Sequence, residues 1–139
     1  MSTFKNLKLE DEIVTGIYDF QGKDIAVEFD LEEDDLTMED FSELIKDSEN
    51  WIESFSNENL NTLKSEIAKE LTDSAYAGLS HKVSEEDYKN LEAELMLKEI
   101  HFFPEEVISL ILEAKKEYPD MDIYCQINKQ FEIEDLMVE

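Results

Sequence analysis

Residues 13–31 constrain the fold more than any other part of the chain. IVTGIYDF is rich in β-branched and aromatic side chains, Gln21–Lys23 supply a turn containing Gly22, and DIAVEFDL then alternates strictly between apolar and other residues. Successive strand positions point to opposite faces, so Ile25, Val27, Phe29 and Leu31 share one side and Ala26, Glu28 and Asp30 the other. Two such runs joined by a glycine-bearing turn predict a β-hairpin with one face in a core and one in water.

The apolar period then changes from two to about 3.6. Thr37 with Asp40 resembles a capping box, and Phe41, Leu44, Ile45, Ser48, Trp51, Ile52 and Phe55 follow at helical spacing, predicting a helix over about 38–55. SNEN breaks it. A second helix over about 58–76 carries Leu60, Leu63, Ile67, Leu71 and Ala75 as its stripe, and Gly78 ends it. Ser84 with Asp87 opens a short helix through Tyr88 and Leu91, and LMLKEIHFF, ending at Phe103, reads as a strand.

Residues 104–118 admit two readings. VISLILEA suits a buried strand, but Pro104 sits at a first helical position, Glu105 and Glu106 fall in a first turn, Lys115 and Lys116 in a last turn, and Pro119 follows. These cues favour a helix. DIYCQIN and QFEIEDLMV close the chain as a hairpin. The expected class is α+β in one domain, residues 1–139: an antiparallel or mixed sheet, made of the N-terminal hairpin and C-terminal strands, with helices packed on one face.

Charge sets the functional limits. Thirty-seven acidic residues against twelve basic ones give a net charge of −25, and every basic residue is lysine. Such a chain repels nucleic acid and anionic membranes and attracts basic proteins. Without arginine it lacks the usual bidentate clamp for phosphate. The single cysteine, Cys125, allows no intramolecular disulfide; it shares a strand face with Ile123 and Ile127 and reads as a small buried hydrophobe. MSTFKNLKLE lacks the apolar segment of a signal peptide and no apolar run approaches eighteen residues, so the expected compartment is the cytoplasm.

The acids concentrate in EFDLEEDDLTMED: Glu28, Asp30, Glu32, Glu33, Asp34, Asp35, Glu39 and Asp40, with no lysine between Lys23 and Lys46. Glu28 and Asp30 belong to the outer face of a strand. Glu39 and Asp40 belong to a helix's first turn, where the dipole favours acids. Glu32–Asp35 have no such local reason. A calcium loop counted from Asp30 fails at its sixth position, Asp35 in place of glycine, and at its twelfth, Phe41 in place of glutamate. His81 in a polar loop and His101 beside Phe102 and Phe103 have no second histidine at metal-ligand spacing, and read as a solvated and a partly packed side chain. Trp51 reads as core. No catalytic motif is present, so no enzyme, metal or cofactor is expected.

GIYDFQGKDIAVEFDLEED, FSELIKDSENWIESFSNENL and DIYCQINKQFEIED together resemble, in layout and composition, the small acidic immunity proteins of bacterial toxin–immunity systems. The resemblance implies a binding protein, not an enzyme, that blocks one cognate toxin. With the charge, it makes a basic toxin, a nuclease above all, the expected partner; contact residues do not carry over from the resemblance, and the charge alone makes the eight acids of residues 28–40 the expected contact residues. The alternatives are a nucleic-acid mimic from a phage or mobile element, and a small carboxylate-dependent or cation-binding enzyme.

Overall fold

The computed structural model describes residues 3–78, 80 and 82–139. His81 lies outside them. Seven strands pair in chain order: β1 (Phe4–Glu10), β2 (Ile13–Phe20), β3 (Lys23–Asp30), β4 (Met96–Phe102), β5 (Ile108–Glu113), β6 (Ile123–Ile127) and β7 (Ile133–Val138). All neighbours are antiparallel except β3 and β4, which run parallel with Val27 opposite Ile100 and Phe29 opposite Phe102. The class is α+β with a mixed sheet, as the sequence predicts.

Parallel neighbours cannot be joined by a tight turn, because the chain must return to the starting end. Residues 31–95 make that return and contain every helix of the described residues: a 3₁₀ turn at Met38–Phe41, then α1 (Ser42–Ile52), α2 (Asn57–Ala75) and α3 (Glu85–Glu94). A single crossover between adjacent strands lies over one face of the sheet. Its apolar residues, including Phe41, Trp51, Ile52, Leu63, Ile67 and Leu91, join Val14, Ile25, Val27, Phe29, Ile100, Leu110 and Cys125 in one buried cluster.

The local signals for these elements act largely as read. Gln21 and Gly22 take φ +53° and +86° in the β2–β3 turn, and the Gly22 N–H donates to Asp19 Oδ1 at 2.8 Å. Thr37 N–H donates to Asp40 Oδ2 at 2.8 Å and Ser84 N–H to Asp87 Oδ2 at 2.9 Å. SNEN is both a break and a start, since Ser56 and Asn59 form a reciprocal cap for α2. Ala75 departs from the expected stripe and is exposed. Gly16 lies where β1 bulges: a Cβ there would stand 2.8 Å from Leu7 Cδ2 and 3.2 Å from the Lys5 carbonyl oxygen, so a side chain would have to displace Leu7.

Residues 104–118 correct the expected helix. Glu105 and Glu106 take φ +63° and +64° in a tight turn, with the Phe103 N–H donating to Val107 O at 3.0 Å, and Ile108–Glu113 form β5 between β4 and β6. Ile108, Leu110 and Leu112 face the helices, while Ile111 is buried, 1% exposed, on the opposite face. A central strand buried on both sides loses the alternation that identifies strands. Lys115 and Lys116 follow the strand and do not end a helix, and the Lys116 and Glu117 N–H groups donate to Glu94 Oε1 at the end of α3.

Cys125 is fully buried, and burial, with the charges of Glu70 and Glu66 adding to it, pushes its thiol up to about 12 from 9.0. Two outcomes follow. Thiol reagents at mildly alkaline pH label the folded protein negligibly and the urea-unfolded chain fully. The thiol's contribution to stability is complete below pH 9, where both states hold the proton, and is lost as pH rises toward 12, as a denaturation series in that window reads.

Candidate functional site: an acidic cleft with an apolar floor

The eight acids of residues 28–40 do not form one surface. Glu28 lies on the helix-free face of the sheet, its Oε2 3.3 Å from His101 Nε2. Asp30 Oδ1 accepts from the Glu32 N–H at 2.8 Å, which closes a turn with Glu32 at φ +58°. Glu32, Glu33, Asp34 and Asp35 are exposed in the connection, which is tied to the β1–β2 turn where the Leu36 N–H donates to Glu12 Oε2 at 2.9 Å. Glu39 and Asp40 sit in the 3₁₀ turn.

Asp40 alone of the eight lines a cleft of about 290 Å³ at the end of the sheet where β3 and β4 finish and β5 begins. Leu31, Leu44, Trp51, Phe102, Val107 and Ile108 contribute apolar lining, and Asp40, Glu43, Asp47, Glu105 and Glu106 contribute five carboxylates. Among the lining residues only Lys129 is basic, and its Nζ stands 3.4 Å from Glu106 Oε1.

The floor is continuous with the core. Trp51 stacks on Phe55 with centroids 5.2 Å apart, meets Phe102 edge-on at 5.9 Å, and lies 5.4 Å from Phe131. Its Nε1–H donates to the Lys129 carbonyl at 3.3 Å. One buried indole thus joins α1, β4 and the β6–β7 loop, and the cleft is framed by packed elements. Trp51 is core, as its helical position predicts, and also part of the cleft wall.

Five carboxylates on an apolar floor favour a cationic group with an aliphatic or planar stem. Such a stem would lie along Leu44, Trp51 and Val107 with its charge at the rim, as lysine and arginine side chains partition between apolar surface and polar partners. Lys129 already meets one rim carboxylate, Glu106, with its own ammonium group.

The sequence reading missed Glu43, Asp47, Glu105 and Glu106 as site residues. Asp40, Glu43 and Asp47 stand at steps of three and four, which places them together on one helical face, so a signal was present. Glu105 and Glu106 were hidden by the helical reading of their segment. Both occupy left-handed backbone, which costs a residue with a Cβ roughly 1–2 kcal/mol. The turn therefore holds its two carboxylates at the rim at the expense of local stability, as functional sites often do. The double change Glu105→Asn, Glu106→Gly is expected to raise unfolding free energy by about 1–2 kcal/mol in urea titrations, since Asn-Gly favours this turn. Comparison with known proteins finds no matching family model, no matching curated protein and no matching solved structure.

Proposed function

We propose that this protein is an inhibitor that acts by contact: an immunity protein that neutralises a cognate basic toxin, with a nuclease as the expected class. The observation that carries the reading is the cleft, five carboxylates around an apolar floor in a protein of net charge −25. Long-range attraction brings a basic partner in, and the cleft takes one of its cationic side chains as an anchor. The exposed Glu32–Asp35 connection joins Leu31 to the segment bearing Asp40, two cleft residues, and serves encounter more than anchoring. Acids divided among a sheet face, a turn, a loop and a cleft favour a discrete anchoring site over mimicry of a regular phosphate track.

Lys129 has a defined part in this reading. It stands toward Glu106 where the partner's cation would stand, so binding exchanges an internal ion pair for an intermolecular one.

The test is binding kinetics, by surface plasmon resonance, against the product of a neighbouring toxin-like gene. Glu43→Lys with Glu105→Lys is expected to weaken binding about 100-fold, mainly by faster dissociation. Glu32, Glu33, Asp34 and Asp35 all changed to Lys are expected to slow association and flatten its salt dependence. Lys129→Gln is expected to tighten binding. Unchanged affinity in both charge-reversed variants would overturn the proposal.

A further inference from the structure

The helix-free face of the sheet holds a second cluster, distinct from the cleft. Its cross-strand register sets Thr15, Glu28, His101, Ser109, Gln126 and Asp135 in one row over β2–β7. The adjacent row runs Ile17, Ala26, Glu99, Ile111, Tyr124 and Met137. Glu28 is thus directly opposite His101, and Glu99 precedes His101 by two residues on the same strand and face.

Three side chains converge there on one point. His101 Nε2 is 3.3 Å from Glu28 Oε2 and 3.2 Å from Glu99 Oε1, and one donor atom from each residue lies within 4.8 Å of the others. Donors 2.0–2.1 Å from a tetrahedral ion stand about 3.3 Å apart, so both nitrogen–oxygen separations already match the edges of such a shell. The ion pairs of both carboxylates among the described residues go to this one nitrogen. A single Nε2–H cannot serve two acceptors at full strength, and two carboxylates brought together repel. A divalent cation at their centre relieves both problems.

The surroundings support binding. The Glu28, Glu99 and His101 side chains are each about one-fifth to one-third exposed, which screens them less than free surface groups. Buried Ile111 is the cross-strand neighbour of Glu99, and the Phe103 ring meets His101 edge-on at 6.5 Å, so apolar groups flank the cluster. The geometry points to a divalent transition-metal site of the zinc class, with Glu28, Glu99 and His101 as ligands and water completing the shell. The mixed nitrogen and carboxylate donor set and short separations suit Zn²⁺ better than Ca²⁺, which takes six to eight oxygens at longer distance.

Isothermal titration of the full chain with Zn²⁺, at high salt and with Mg²⁺ in excess to occupy diffuse acidic surface, tests the assignment. One saturable site per chain is expected. His101→Ala and Glu99→Gln should each weaken it by about 100-fold or more, beyond the loss caused by an outer-shell change. Glu43→Gln in the cleft should leave it unaltered. Co²⁺ in place of Zn²⁺ should give the strong visible bands of low coordination, absent in His101→Ala. Where His101→Ala does not fold by circular dichroism, the isosteric Glu28→Gln decides. Absence of a saturable isotherm, or Zn²⁺ affinity unchanged in the folded ligand variants, would overturn the site.

Discussion

The parallel pairing of β3 with β4 is the constraint on which the rest of the structure depends. The other strand pairs are antiparallel neighbours in chain order with short connections. This pair demands a return path, and the chain places its helices in that path. Because the path lies over one face, Phe29, Phe102, Trp51 and the helix stripes meet in a single apolar layer. The same topology leaves the other face without helices, carrying Glu28, Glu99 and His101. It also creates the cleft, where the chain leaves β3 at Leu31, returns through Phe102 and turns at Glu105–Glu106.

A net charge of −25 opposes compaction, so the fold must keep its carboxylates apart from its core. It does so by direction. The buried positions of β2 to β6 are apolar or glycine, and the acids fall on outer strand positions, exposed helix faces and connections. Acids therefore cost little where they cap a helix, as Asp40 and Asp87 do, and more where they gather. In the cleft Glu43, Asp47, Glu105 and Glu106 gather beside the capping Asp40, and the β4–β5 turn holds its two glutamates in left-handed backbone. Left-handed acids also stand in the β1–β2 turn at Asp11 and Glu12, so it is the gathering of carboxylates over an apolar floor that sets the cleft apart and supports the proposed contact role.

Much of the fold was legible in the sequence wherever a local rule acted alone. The β2–β3 hairpin follows from alternation and Gly22, and α1 to α3 follow from helical stripes and reciprocal caps. Residues 104–118 were not legible. β5 is buried on both faces, so its pattern is a plain apolar run, and Pro104, Glu105 and Lys115 offered helical punctuation that the tertiary pairing overrode. The site was half legible. Asp40 was found for its charge, and Glu43 and Asp47 shared its helical face. The approach of Glu105, Glu106 and Lys129 depends on non-local register, as does the meeting of Glu28 with His101. A search at helical spacing also misses the Glu99–His101 pair, because strand neighbours on one face are two residues apart.

The central claim proposed here is that four of the cleft carboxylates, Glu43, Asp47, Glu105 and Glu106, serve binding and not folding. The most direct measurement is the unfolding free energy of a variant with Glu43→Gln, Asp47→Asn, Glu105→Gln and Glu106→Gln, in urea across a range of NaCl. Asp40 is retained because its carboxylate caps the 3₁₀ turn. Relief of repulsion should make this variant more stable than the parent at low salt, with the difference shrinking as salt screens the charges. A variant less stable than the parent at low salt would contradict the claim, because the cleft acids would then be part of what holds the protein together.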